Sequence, residues 1–289
     1  MALPFLALVG VFSYYPLYGW LYAMYDYRPP YQLFQTPFVG LRWFQYIFMD
    51  PVQLSNIARV LTNTFVISGL NIICSILPLF FAVFLTEIKT SWYKRIVQTL
   101  TTIPNFISWI LVYSCAYSLF ASDGLVNTIL INAHIINSSV QFLASPDTTW
   151  LQMTLWTVWK TLGWNAIMYL AAITGIDQEL YEAARVDGAG RFRMMWNITI
   201  PSLLPTFFVL LMLALANFLN NGMDQYFPFQ NSLNQEKIEV LDLYVYNIGI
   251  TNASYSIATT IGMLKSLVSI VLLFVVNGAS KLIRGETIV

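Results

Sequence analysis

The sequence predicts an all-α polytopic membrane protein with six transmembrane helices, and composition and periodicity carry this prediction. Of its 289 residues, 57% are hydrophobic and 10% are charged, with a mean hydropathy of +0.64. Soluble domains carry about a quarter charged residues. Apolar runs of about twenty residues recur, which is the length that crosses a hydrocarbon core about 30 Å thick. The every-second-residue alternation of a β-barrel strand does not recur in this sequence.

Six apolar segments account for the predicted spans. They are Leu3–Met24, Leu61–Leu85, Ile96–Phe120, Trp150–Ile173, Ile200–Leu219 and Ile257–Val276. The first is too long and aromatic for a signal-peptide core, so we interpret it as a retained span and expect a short basic leader before it. No repeat or low-complexity linker divides the chain, so residues 1–289 are predicted to form one domain.

The connections between the segments differ in character. "YDYRPPYQLFQTPFVGLRWFQYIFMD", after the first segment, is rich in aromatics and proline, which is typical of an interfacial loop or of a short helix on the membrane surface. A long polar connection covers about residues 221–254. We expect it on the extracytoplasmic side, where it could receive another protein or gate an entrance.

Basic residues next to the spans predict the orientation, because cytoplasmic loops are enriched in lysine and arginine. One side of the predicted topology carries Lys89, Lys94, Arg95, Arg185, Arg191, Arg193, Lys281 and Arg284. The opposite side carries Arg28, Arg42, Arg59 and Lys237 over longer loops. Both termini are therefore predicted to be cytoplasmic, with six crossings between them.

The sequence offers little for catalysis or for metal binding. It contains no GxxxxGK[ST] phosphate loop and no HExxH motif, and its single histidine, His134, lies in a predicted extracytoplasmic loop. Cys74 and Cys115 lie in apolar runs, where cysteine acts as a small hydrophobe. The formal net charge of zero gives no reason to expect nucleic-acid binding. We predict no catalytic residue, no metal site and no cofactor in this chain.

A charged stretch at about residues 177–197 interrupts the apolar pattern on the cytoplasmic side. It is predicted to form a short helix capped by Asp177, a glycine turn and a second short helix. Gly188 and Gly190 are expected to supply the positive φ values of the turn. Ala183 and Ala184 leave a low surface on which another protein can pack. The alternative is an ordinary charged loop.

The spacing in this stretch resembles the EAA signature of permease subunits in binding-protein-dependent ABC importers. The signature appears as Glu182, Ala183 and Ala184, then Gly188, then "ITIP" at 198–201, with Ile200 where leucine is usual. The resemblance implies the type I importer permease fold. It also implies that the stretch is a coupling helix that docks on a cytoplasmic ATPase.

The resemblance assigns roles and partners. Glu182, Ala183, Ala184 and Gly188 would make or shape the ATPase contact, with Asp187, Arg191 and Arg193 as polar partners around it. Two ATPase subunits would hold ATP and Mg²⁺. A second, different permease and an extracytoplasmic solute-binding protein would complete the assembly in the bacterial inner membrane.

Further stretches resemble the carbohydrate branch of these permeases. They include "YYPLYGWLYAMYDY", "RIVQTLTTIPNFISWILVYSCAYSLFASDGLVN" and "LDLYVYNIGITNASYSIATTIGMLKSLVSIVLL". Within that branch they are most similar to permeases for complex oligosaccharides, such as pectin, xylan or alginate fragments. The similarity covers nearly the whole chain.

Polar residues in or beside the apolar segments are candidates for the substrate pathway, because polar groups in a membrane usually face a wet cavity or another helix. The candidates are Lys160, Trp164, Asn165, Asn217, Asn220, Asn221, Gln225 and Lys265. Their amides would bind sugar hydroxyls, and rings such as Trp156, Trp164 and Tyr226 would stack on sugar faces. The alternative is that they join helices through buried hydrogen bonds.

The two lysines also raise the hypothesis of an anionic cargo such as a uronate. The alternative is that Lys265 pairs with a partner subunit or with a backbone carbonyl. Three other functions stay open: an importer for amino acids or peptides, an ATP-independent secondary transporter, and a membrane-embedded enzyme. We see neither the internal symmetry of the second nor the catalytic set of the third.

Overall fold

A computed structural model describes residues 2–284. Apart from an isolated β-bridge between Tyr25 and Phe38, the regular elements of that range are helices. The α-helices are α1 (Ala2–Val9), α2 (Arg42–Met49), α3 (Pro51–Cys74), α4 (Leu77–Thr86), α5 (Ser91–Thr102), α6 (Trp109–Phe120), α7 (Leu125–Asn132), α8 (Thr149–Thr174), α9 (Gln178–Val186), α10 (Arg191–Met194), α11 (Ile200–Ala216), α12 (Tyr226–Phe229), α13 (Gln235–Ile238), α14 (Leu241–Tyr246) and α15 (Tyr255–Arg284). Helical turns of other pitch cover Gly10–Tyr14, Tyr15–Met24, Leu33–Gln35, Ile103–Phe106, Phe142–Ala144, Pro146–Thr148, Met195–Thr199 and Asn247–Thr251.

Five stretches within residues 2–284 are long and apolar enough to cross a membrane. They are Leu3–Met24, Pro51–Thr86, Trp109–Asn132, Arg191–Ala216 and Tyr255–Gly278. α8 forms where a sixth span is predicted and has 26 residues. It is not among the five because Lys160, Asn165 and several threonines lower its hydropathy. The sequence-based count of six therefore exceeds what length and hydropathy alone support.

The predicted third span, Ile96–Phe120, is wrong as a continuous helix. α5 ends at Thr102, a 3-10 turn follows, and α6 begins at Trp109. Pro104 explains the break, since it has no backbone N–H and its ring excludes a regular helical turn. Ser108 then caps α6, with its Oγ accepting a hydrogen bond from the backbone N–H of Leu111 at 3.4 Å. The apolar run therefore begins later than predicted, at Trp109.

Of the two forms expected after the first segment, an interfacial loop or a short helix, the structure shows a short helix, α2. It leads directly into α3, whose N-cap is Asp50. The Asp50 carboxylate accepts hydrogen bonds from the backbone N–H groups of Val52 (2.8 Å) and Gln53 (3.2 Å). Pro51 occupies the first helical position, where its missing N–H costs nothing.

Buried apolar side chains form three clusters, which lie toward the two ends of the helical bundle; we call these two ends the first level and the second level. The first level holds two clusters, one around Ile67, Met153 and Leu243 and the other around Val60, Leu241 and Ile261. The other level holds a cluster composed of Leu79, Ala82, Val83, Ala166, Tyr169, Met195 and Leu203. The functional site lies between these levels.

The clusters define the direction of each long helix. α3 with α4, and likewise α8, run from the first level to the second, because Ile67 and Met153 lie at one end and Leu79 and Ala166 at the other. α11 runs the opposite way from Leu203. α6 enters the first level through Val112 and Ala116, and α15 starts there near Ile261. The backbone N–H of Tyr27 donates to Ser256 Oγ at 3.2 Å, so the N-terminal helix also ends at the first level.

Candidate functional site

A cavity of about 300 Å³ lies between α3, α8 and the end of α11. Its lining is Ser68, Asn71, Ile72, Cys74, Ser75, Pro78, Thr157, Val158, Thr161, Leu162, Asn165, Ala214, Asn217, Phe218, Asn220, Asn221, Gln225 and Tyr226. We call this space the amide cavity. It sits between the two levels of apolar clusters, at mid-height of the bundle.

The structure brings five of the eight predicted pathway residues together in the amide cavity. They are Asn165, Asn217, Asn220, Asn221 and Gln225. The last four follow the end of α11 closely, and Asn165 reaches the same space from α8. Amides from distant parts of the chain therefore converge on one volume, which is the arrangement expected of a binding site for hydroxyl-rich ligands.

Buried hydrogen bonds fix part of the cavity wall. Gln225 Nε2 donates to the Met153 carbonyl at 2.7 Å, and Thr157 Oγ1 donates to Gln225 Oε1 at 2.8 Å. Ser68 Oγ lies 2.7 Å from the Phe218 carbonyl and 3.0 Å from Asn221 Oδ1. These contacts tie α3, α8 and the segment after α11 to one another, so the wall is positioned before any ligand arrives.

The sequence-based set missed half of this wall. Ser68 and Asn71 on α3 and Ser75 at its C-cap lie at helical spacing, and on α8 Thr161 and Thr157 lie one and two turns before Asn165. Polar residues spaced by three or four positions share one helix face, and this periodicity was a usable signal. Asn71 Oδ1 is buried and has no hydrogen-bond partner within the described residues.

Lys160 lies outside the amide cavity, at the break between α5 and α6. Its ammonium donates to three backbone carbonyl oxygens, those of Pro104 (2.9 Å), Asn105 (2.9 Å) and Ile107 (2.5 Å). The residue is 7% exposed, and Nζ lies 5.3 Å from the ring centroid of Trp109. Lys160 therefore caps the 3-10 turn that follows α5, where Pro104 O also accepts the backbone N–H of Ile107 at 3.2 Å.

Trp164 and Lys265 also lie away from the amide cavity. Trp164 packs edge-to-face on Phe106, with ring centroids 5.6 Å apart. Lys265 forms an ion pair with Asp242, and the second oxygen of that carboxylate accepts the backbone N–H of Gly222 at 2.8 Å. This pair lines a separate cavity of about 590 Å³ beside α14 and α15.

The stretch at 177–197 has the predicted helix–turn–helix form. Asp177 caps α9 by accepting the backbone N–H of Glu179 at 3.0 Å. Gly188 adopts φ +74°, and the backbone N–H of Ala189 closes the turn onto Ala184 O at 2.8 Å. The prediction of a positive φ at Gly190 is wrong: its φ is −71°, and it precedes α10 as an extended residue.

The predicted coupling residues are accessible. Glu182, Ala183, Asp187, Gly188, Arg191 and Arg193 are exposed, and Ala184 is half-buried. Val186 and Phe192 are 87% and 72% exposed. The ion pairs of the described chain lie elsewhere, at Asp26, Glu239 and Asp242. Among residues 2–284, this surface therefore combines charged side chains that form no ion pair with apolar side chains that are exposed.

Comparison with known proteins decides the family. Residues 74–284 match the family described as "Binding-protein-dependent transport system inner membrane component". The matched range includes the stretch at 177–197 and most of the amide cavity. The chain belongs to this family. It is a membrane permease subunit, and the sequence-based resemblance is confirmed.

Curated relatives share most of the length of this permease. Protein LplB of Bacillus subtilis is 37% identical over 97% of this chain and 87% of its own. The polygalacturonan/rhamnogalacturonan transport system permease protein YteP of Bacillus subtilis is 34% identical over 100% of this chain and 88% of its own. These relatives agree with the predicted resemblance to the carbohydrate branch.

A solved structure is similar to the permease in both fold and sequence. It is the crystal structure of a bacterial ABC transporter involved in the import of the acidic polysaccharide alginate. The TM-score is 0.85 at 30% identity, over 98% of this chain and 94% of that chain. A second structure of the alginate transporter, in complex with an alginate pentasaccharide-bound periplasmic protein, has a TM-score of 0.86.

The permease residues at 221–254, predicted as a polar loop, are folded. They contain α12, α13 and α14, and Arg59 on α3 holds Glu239 in this segment through an ion pair of 2.8 Å. Asn63 Nδ2 donates to the Glu236 and Glu239 carbonyls at 2.8 and 3.0 Å.

Within residues 2–284, the permease has no group of three or more histidine, cysteine, aspartate or glutamate residues arranged to hold a metal ion.

Proposed function

We propose that this permease is one of two membrane subunits of an ATP-driven importer for oligosaccharides. The amide cavity carries the proposal. It lies at mid-height between α3, α8 and α11, and ten uncharged polar side chains line it together with Tyr226. Amides and hydroxyls exchange hydrogen bonds with water for hydrogen bonds with sugar hydroxyls, so a saccharide can enter and leave without a large desolvation cost.

The topology that fits this function has six crossings and cytoplasmic termini. The six long helical units alternate in direction between the two levels of buried clusters. α8, the least apolar of them, has 26 residues and a length of about 39 Å at 1.5 Å per residue, enough to cross a bilayer. Two of its polar side chains, Lys160 and Thr157, form hydrogen bonds within the protein, to Pro104 O and Gln225 Oε1, so that they need not be solvated by lipid or water.

The accessible surface at 177–197 supports a coupling role. Glu182, Ala183, Ala184, Asp187, Gly188, Arg191 and Arg193 would contact one of two cytoplasmic ATPase subunits, which hold the ATP and Mg²⁺. Closure of the ATPase pair would then move α9 and α10, and through the hydrogen bond of Tyr181 to Thr199 (2.9 Å) the base of α11. α11 ends in the asparagines of the amide cavity.

The names of the relatives support a cargo released from polysaccharides. YteP is named for polygalacturonan and rhamnogalacturonan transport, and the similar solved transporter imports alginate. The alginate complex includes a periplasmic binding protein. We therefore propose a binding protein, a second permease and a bacterial inner-membrane location for this system. The folded segment at 221–254 is the proposed face for the binding protein.

Reconstitution of the whole transporter tests this function. The permease is co-purified with its second permease and ATPase subunits and placed in proteoliposomes with the binding protein. We expect oligosaccharides to stimulate ATP hydrolysis and to enter the vesicles, with amino acids and peptides inactive. Uptake driven by an ion gradient without ATP would instead favour a secondary transporter and overturn the proposal.

A further inference from the structure

The lining of the amide cavity contains no side chain of aspartate, glutamate, lysine or arginine. Its polar members are Ser68, Asn71, Ser75, Thr157, Thr161, Asn165, Asn217, Asn220, Asn221 and Gln225. A charged cargo would therefore depend on charges next to the cavity, and Lys160 and Lys265 are the two cations that the sequence places in the apolar segments.

Lys160 has no donor left for a cargo. A lysine ammonium has three N–H donors, and here each has a backbone carbonyl within 2.9 Å. The group also faces the α5–α6 break, where it lines a separate cavity with Ile107 and Trp109, and it is not among the residues that line the amide cavity. Moving it toward a ligand would break three hydrogen bonds to carbonyls, of which only that of Pro104 is shown, within residues 2–284, with a second donor, the backbone N–H of Ile107 at 3.2 Å.

Lys265 is neutralised by Asp242. The pair is largely buried, with the side chains 15% and 20% exposed, and Asp242 is held in turn by the backbone N–H of Gly222. Breaking the pair would leave a partly buried carboxylate without its counter-charge. The pair lies in the neighbouring cavity of about 590 Å³, which shares Asn220 with the amide cavity.

We infer that the amide cavity of this subunit selects uncharged sugar units by hydrogen bonds to hydroxyls, and that Lys160 and Lys265 are structural cations that give no preference for uronates. This inference rests on the proposed function and specifies its substrate class. A carboxylate entering the cavity would lose hydration without gaining a counter-ion. A hydroxyl is both a donor and an acceptor, and the amides of the cavity offer it acceptors and donors that replace its hydrogen bonds with water.

The test uses two trisaccharides that differ only at C6, one of galactose and one of galacturonic acid. Their binding to the purified transporter complex without binding protein is measured by equilibrium dialysis at constant ionic strength. We expect the neutral trisaccharide to bind more tightly to the wild type. Asn165→Lys places a cation in the cavity and should raise the relative affinity for the acid by about tenfold or more. Asn165→Gln, the uncharged control, should leave the ratio near the wild-type value.

A second variant tests the lysine assignment. Lys265→Gln combined with Asp242→Asn removes both charges and keeps hydrogen-bonding groups, and we expect the ratio of the two affinities to stay unchanged. A wild-type preference for the acid that this double variant abolishes would overturn the inference and leave the oligosaccharide function intact. If no saccharide of a wider panel bound or stimulated ATP hydrolysis, the proposed function itself would fail.

Discussion

The amide cavity and the stretch at 177–197 satisfy their polar groups in opposite ways. In the cavity wall, Gln225, Thr157 and Ser68 find partners within the chain, over sequence separations of 68 to 153 residues. In the stretch, Glu182, Arg191 and Arg193 are exposed, and the ion pairs of residues 2–284 lie elsewhere. One region is built to hold its shape, and the other presents groups for a second protein.

This difference teaches how the two tasks of a permease separate along the chain. Recognition of a cargo needs amides held in place before the cargo arrives, because ordering them afterwards would cost conformational entropy. Docking on a motor subunit needs an accessible surface with a defined backbone, which Asp177 and Gly188 supply at the two ends of α9. Variants in the two regions should therefore fail in distinguishable ways.

The largest expected effect comes from Gly188→Pro. Gly188 has φ +74° and donates its N–H to the Arg185 carbonyl at 3.0 Å. Proline is fixed near φ −65° and has no N–H, so the turn after α9 cannot form. We expect ATP hydrolysis stimulated by the loaded binding protein to be abolished while saccharide binding persists. Gly190→Ala, at φ −71°, should retain stimulation. Retained coupling in the proline variant would remove the special role of this turn.

A large but different effect is expected from Lys160→Met. The substitution keeps the apolar stem and removes the Nζ donor from the carbonyls of Pro104, Asn105 and Ile107. Pro104 keeps the backbone N–H of Ile107 as a donor, and loss of the three hydrogen bonds from a charged donor should cost about 3 kcal/mol of stability in total. The apparent melting temperature of the complex in detergent should fall, with Lys94→Met on α5 as the unaffected control. A Lys160→Met complex that melts like the wild type would contradict the structural role of this cation.

The smallest effect is expected from Thr157→Val in the cavity wall. Valine has the same shape but cannot donate to Gln225 Oε1, which accepts the threonine hydroxyl at 2.8 Å. Loss of one such bond, worth about 1 kcal/mol, should weaken saccharide affinity about fivefold. Unstimulated ATP hydrolysis should not change. Ser114→Ala, on an exposed face of α6, serves as the control. Equal saccharide affinities of the wild type, Thr157→Val and Ser114→Ala would show that saccharide binding does not depend on the hydrogen bond by which Thr157 positions Gln225.

The stretch at 177–197 was readable from sequence because its geometry is local. The cap at Asp177, the turn at Gly188 and the EAA spacing all lie within about one helical hairpin. Even there, the predicted positive φ at Gly190 is wrong, because a turn of this kind needs only one residue with positive φ, which is Gly188.

The cavity was only partly readable. Amides stand out in apolar segments, so Asn165, Asn217 and Gln225 were found, whereas hydroxyls such as Ser68 are common in spans and carried no signal of their own. The hydrogen-bond partners of Lys160 are 53 to 56 residues away in the sequence, at the break between α5 and α6. They could have been predicted only if Pro104 had first been recognised as the residue that ends the helix. Asp242, the partner of Lys265, lay in a segment read as a loop.

Charge reversal at Glu182 tests the central claim most directly. Glu182→Lys and Glu179→Lys are compared in the reconstituted transporter, since both residues are exposed on α9 and only Glu182 belongs to the EAA motif. The measurement is ATP hydrolysis with and without saccharide-loaded binding protein. We predict that Glu182→Lys abolishes the stimulation and that Glu179→Lys retains it, with both complexes assembled. Full stimulation in the Glu182→Lys complex would contradict the assignment of this surface as the contact with the ATPase.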